Sequence, residues 1–126
     1  IPVTFFCDEN TGNGGAIGFI DGPDNGAIID GITDLWGWAL DPEEISSVQI
    51  WLDGEWVGDA VYGIARPDVT SVYPGYPDSL APGWIFLLDT GLTSDGQHHV
   101  QAVAVDIFGG TSIVGERYFE IRNEAP

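Results

Sequence analysis

Hydrophobic and polar positions along the chain alternate over short runs, and glycine or proline ends nearly every run. Alternation at period two with β-branched and aromatic side chains predicts half-buried strands. The runs are Ile17 to Ile20, Gly31 to Leu40, Ser46 to Leu52, Glu55 to Tyr62, Gly83 to Asp89, His98 to Asp106 and Ser112 to Ile121. Helix is expected only as single turns, as over Pro67 to Tyr73, because no run of a dozen residues keeps a 3.6 period free of Gly and Pro. Seven strands of this kind fit an all-β, antiparallel sandwich. Asp53-Gly54 separates two strong strands, and these residues tolerate the positive φ that a tight hairpin demands.

Parity assigns the faces. In His98 to Asp106 the set His98, Val100, Ala102 and Ala104 points inward, leaving the polar His99 and Gln101 outside with Val103 and Val105. Val48, Ile50 and Leu52 point in, with Gln49 and Trp51 out. Leu35, Gly37 and Ala39 facing inward would put Trp36 and Trp38 side by side on the outer face. Two stretches are not strand: a polar, glycine-rich N-terminal arm over residues 1–16, and the proline-rich segment from Ala65 to Gly83. Loops of that length in a small domain are usually functional or packed on the body, and packing on one side of the sandwich is expected. The domain proper is expected over residues 17–126.

The strings DLWGWALDPEEISSVQIWLDGEWVG, YGIARPDV, YPGYP, GWIFLLDTGL, DGQHHVQAVAVDIFGG and ERYFEI together resemble bacterial immunoglobulin-like domains of secreted and cell-surface proteins, over roughly Gly18 to Ile121. The resemblance implies an immunoglobulin-like β-sandwich in an extracellular or surface setting. It implies that Asp41 and Asp106 end strands, that Asp53-Gly54 and Asp89-Thr90 mark turns, and that His98 points inward, all as markers of the fold. The chain differs from the simplest pattern in Trp84, where Phe is usual, in the RPDV loop, and in its N-terminal arm.

Charge narrows the function classes. The 126 residues hold 20 acids and 3 bases, a formal charge of −17. Nucleic-acid binding needs a basic face, and an anionic membrane surface needs the same, so neither is expected. The chain has no lysine, which excludes Schiff-base chemistry and a Walker-type phosphate loop. With 44% hydrophobic and 12% aromatic residues it is a globular fold and not an acidic tail. No run approaches the roughly 20 apolar residues of a membrane span, and no signal peptide is visible. The start at Ile1 without any methionine suggests a piece of a longer chain, with neighbouring domains as its first partners.

Catalysis finds little support. Twenty carboxylates invite a glycosidase reading, but almost all lie at turns or strand ends, where Asp shapes the backbone. His98 and His99 point to opposite faces, and no nucleophile elbow is present. The single Cys7 cannot form an internal disulfide and is expected to be a small buried residue. Calcium is the better metal, since it takes roughly six to eight oxygen ligands; Asp8, Asn10, Asn13, Asp21 and Asp24 are candidates, against the alternative that they form turns. Arg66 stands alone among acids and is expected to pin the long loop through carboxylates: Asp68 beside it, and Asp41, Asp89 or Asp106 across the fold.

Five tryptophans and four tyrosines raise a binding reading, because sugar rings stack on aromatic faces. The candidates are Trp51 and Trp56 beside the hairpin, and Trp36 and Trp38 with Tyr73 and Tyr76 from the long loop. The competing reading has that loop fold back over Trp36, Trp38, Ile85 and Leu87 as a satellite core. The function expected is a non-catalytic accessory module acting as spacer or recognition domain, with polysaccharide binding as the alternative and an acidic hydrolase as a third.

Overall fold

The computed structural model describes residues 15–123, so Cys7, Asp8, Asn10 and Asn13 lie outside the described residues. Among the described residues nine strands run in chain order: β1 (Ile17–Gly22), β2 (Ala27–Ile29), β3 (Ile32–Leu40), β4 (Ile45–Leu52), β5 (Glu55–Asp59), β6 (Val61–Ile64), β7 (Gly83–Asp89), β8 (Gly96–Asp106) and β9 (Thr111–Ile121). One short helix, α1 (Pro67–Val72), stands in the long loop. The strands form two sheets, ordered β1-β3-β7-β6 and β2-β9-β8-β4-β5. Their inner faces supply the core, with Ile20, Leu35, Val48, Ile50, Val100 and Phe119 fully buried. This is an immunoglobulin-like β-sandwich.

The inward sets predicted by alternation are the buried ones: Val48, Ile50 and Leu52 in β4, Val100, Ala102 and Ala104 in β8, Leu35 and Ala39 in β3. The Asp53-Gly54 hairpin closes with both residues at positive φ, 53° and 85°, the pairing a two-residue turn favours.

Two expectations change. The run Glu55 to Tyr62 is not one strand: it breaks at Ala60, so that β5 ends one sheet and β6 ends the other. Gly58, at φ +154°, allows this break, because a Cβ there would stand 2.8 Å from the Phe86 ring of the facing sheet. The second change is β2, which pairs parallel to β9 where an all-antiparallel fold is expected. Its three residues are too few for alternation to register, and the Asn25 side chain holds its entry by accepting from the Tyr118 amide at 2.8 Å.

The long loop packs on the outer face of the four-stranded sheet. Val69 of α1 is buried, and Tyr73 lies against Trp38 with ring centroids 5.5 Å apart.

Candidate functional site: two aromatic faces

The outer face of the five-stranded sheet carries an aromatic and polar row built by register. Trp56 of β5 stands opposite Trp51 of β4, Trp51 opposite Gln101 of β8, and Gln101 opposite Glu116 of β9. Two residues along, His99 faces Tyr118, and their rings stack at 4.4 Å and 18°. Trp56 and Tyr118 are 54% and 57% exposed, while Trp51 is half-buried.

Polar neighbours on the same face hold three of these rings. The Trp56 indole donates to Asp59 at 3.1 Å, the Trp51 indole to Gln49 at 3.0 Å, and His99 Nε2 meets Glu116 at 2.7 Å. No arginine stands in the row. Arg66 belongs to the other side, Arg117 turns to the Ile20 carbonyl and the Phe19 ring, and Arg122 pairs with Glu120 at 2.9 Å beyond the end of β9.

Trp36, Trp38, Tyr73 and Tyr76 lie on the opposite sheet, so the six aromatic candidates divide between two faces and form no single platform. The loop covers Trp38 through Tyr73, which Tyr76 meets edge-on at 6.0 Å. It leaves Trp36 and Leu87 44% and 59% exposed, so the satellite core extends over only part of the expected set. Beside Trp36 is a cleft of about 320 Å³ lined by Asp34, Ile64, Arg66, Trp84 and Ile85, with the guanidinium 5.7 Å from the Trp36 ring.

Arg66 chooses different partners from those expected across the fold. It forms a bidentate pair with Asp68, at 3.0 and 2.8 Å, and reaches Asp21 of β1 at 2.8 Å. Asp41, Asp89 and Asp106 serve the backbone instead. Asp41 accepts from the Glu43 amide, Asp89 from Gly91, and Asp106 from Phe108 and Gly110. Each is a short turn in which the carboxylate takes an amide a few residues ahead, which removes it as a long-range partner. Asp41 is 1% exposed and its Oδ2 has no partner among the described residues. Burial, followed by the neighbouring charges of Asp106, Glu43 and Asp78, pushes its carboxyl above the usual range, against the pull of the Glu43 amide.

The calcium reading loses one ligand here, because the carboxylate of Asp21 is taken by Arg66. Among the described residues no group of three or more His, Cys, Asp or Glu side chains is arranged to hold a metal.

Sequence parity places His99 and Gln101 on the outer face, but Tyr118 and Glu116 go unassigned as site residues. The alternation of Glu116, Tyr118 and Glu120 in the last strand is the signal for them. Only the register shows that this alternation meets that of β8.

No family model and no curated protein sequence matches the chain. Among solved structures the chain is similar to the fibronectin(III)-like modules of Clostridium thermocellum CbhA, at 15% identity and TM-score 0.54, over 86% of this chain and all of that one. It is also similar to part of an endo-β-1,4-mannanase from Thermotoga petrophila, at 16% identity and TM-score 0.60, where 86% of this chain spans 20% of that one. At these identities the likeness establishes the fold.

Proposed function

We propose that the chain is a non-catalytic accessory module of a larger secreted or cell-surface protein, a rigid spacer and recognition domain beside neighbouring domains of the same chain. The observation that carries this reading is the match of nearly the whole sandwich both to a free-standing module and to one fifth of a much longer enzyme. The first is by its name a module of CbhA, and in the second the matched part is one fifth of the enzyme's length. The buried carboxylates support it too, since Asp41 and Asp106 hold turns.

A second reading, recognition of polysaccharide, is favoured by the exposed rings of Trp56 and Tyr118. The discriminating experiment incubates the purified chain with soluble polysaccharides and follows reducing ends. No release is expected. Sustained release that disappears in Asp41→Asn or Asp106→Asn would replace the accessory reading with a hydrolase.

A further inference from the structure

We propose that the outer face of β5, β4, β8 and β9 binds neutral polysaccharide, with Trp56 and Tyr118 as stacking rings and Gln101 and Glu116 as the groups that meet sugar hydroxyls. This rests on the recognition-module reading and names its ligand class and its residues.

Cross-strand aromatic pairs on a sheet surface stabilise the sheet by themselves, so the rings alone do not make a site. The ties between rings and polar groups add more. Trp56 is held by Asp59, Trp51 by Gln49, and His99 by Glu116, while Tyr118 is held by its stack on His99. These bonds lie on the solvent side, where they contribute nothing to inter-sheet packing. They fix ring orientation before any ligand arrives, which lowers the ordering cost of binding.

The chemistry of the row selects the ligand. Exposed aromatic faces accept the apolar C–H side of a sugar ring, and a carboxylate or amide beside them takes its hydroxyls. Glu116 uses Oε1 toward His99, and its second carboxylate oxygen has capacity to accept from a hydroxyl. The face carries Asp59 and Glu116 without an arginine partner, while Glu120 is paired with Arg122, on a chain of net charge −17. Uronate or sulfated polymers would therefore be repelled, which leaves neutral ones. Three strand spacings and a two-residue offset along β9 place Trp56 and Tyr118 about 16 Å apart, a span of several sugar rings and more than a monosaccharide needs.

The opposite face does not offer the same chemistry. A guanidinium already lies against Trp36, and Tyr73 occupies the face of Trp38.

The test is native gel electrophoresis of the full chain through gels containing hydroxyethyl cellulose, galactomannan, mixed-linkage β-glucan or polygalacturonate, with Trp56→Ala, Tyr118→Ala and, on the far face, Trp36→Ala beside it. The expected result is retardation by at least one neutral polymer and none by polygalacturonate. Trp56→Ala and Tyr118→Ala should each weaken it about tenfold, with Trp36→Ala unchanged and circular dichroism spectra superimposable. Absence of retardation in every neutral gel overturns the platform and leaves the accessory reading standing. Retardation that survives both platform variants, or that is lost only in Trp36→Ala, also overturns it. If the platform variants instead abolish self-association in sedimentation and leave polymer binding untouched, the face is an interface between copies and the proposal fails. Reducing ends measured on the same mixtures separate the two readings, because a polymer that is retained and cleaved removes the non-catalytic one alone.

Discussion

The Nδ1 of His98 meets the Asp53 carboxylate, while its Nε2 meets the Ser94 carbonyl at 2.7 Å. Two acceptors can both be served only if both ring nitrogens donate, so the geometry holds His98 as an imidazolium. Burial opposes that charge, but the bonds to Asp53 and Ser94 outweigh it and raise the His98 pKa. Burial likewise opposes the Asp53 charge, and His98 with the His99 amide outweighs it and lowers the Asp53 pKa.

The pair therefore predicts a pH window. His98 contributes stability that is complete below its unfolded value, about 6.5, and is lost as pH rises through its higher folded value. Asp53 contributes stability present above about 3.9 and lost as pH falls through its lower folded value. Melting midpoints should be highest between roughly pH 4 and 6.5 as far as this pair is concerned. The amplitude should be about 1 kcal/mol, since Asp53 is partly open to solvent. His98→Gln should flatten the alkaline side of the profile; a profile identical to that of the parent would remove the imidazolium assignment.

Asp41 predicts the opposite sign at neutral pH. Its folded pKa is raised, so its contribution is favourable below about 3.9 and is lost as pH rises through the folded value. Above that, a buried carboxylate with one unpartnered oxygen destabilises the fold. Asp41→Asn keeps an oxygen for the Glu43 amide and turns an N–H toward the acids around it. It should stabilise the domain by about 1 kcal/mol at pH 7 and have little effect at pH 3, measured by urea unfolding at both.

The sandwich was legible in the sequence because alternation reports burial directly. Val48, Ile50 and Leu52 had to face one way, and the register of β8 followed. Partner choice was less legible. Arg66 could be read as the anchor of the long loop from its isolation among acids, but which acids it reaches depends on β1 running beside β3, and no local pattern encodes that. Asp41 and Asp106 looked available because their own turns, closed by amides two to four residues ahead, are invisible until the backbone is placed. The two tryptophan pairs separated for a similar reason. Parity puts Trp36 and Trp38 on one outer face and Trp51 on an outer face too, and only the sheet order shows that those faces are opposite. The break at Ala60 left no signal apart from Gly58.

Gly37 gives a packing prediction. A Cβ there would lie 2.0 Å from the Phe19 carbonyl and 2.9 Å from Trp84 Cζ2, so β1 and β3 can pair at this distance only over a glycine. Gly37→Ala should cost roughly 3 kcal/mol, the upper end for overpacking, because backbone and an indole in the core must both move. Thermal unfolding checks it. A loss below about 0.5 kcal/mol would mean that the two strands separate easily at Gly37.

Arg66 gives the last prediction, on the loop and not on the whole fold. Its guanidinium uses Nε and Nη2 on Asp68, uses Nη1 on Asp21, and lies against Trp36. The contact to Asp21 joins the start of α1 to β1, 45 residues away in sequence. A lysine carries the same charge but has no planar fork, so it can serve Asp21 or Asp68 and cannot match the bidentate geometry while bridging both. Asp68 is 66% exposed, so its half of the arrangement contributes little to global stability after solvent screening. Arg66→Lys should therefore shift the melting midpoint by no more than a few degrees. Chymotrypsin cleavage after Leu80 should accelerate several-fold, because cutting there follows local opening and not global unfolding. Arg66→Lys cut at the rate of the parent would show that Tyr73 on Trp38 and buried Val69 hold the loop without Arg66.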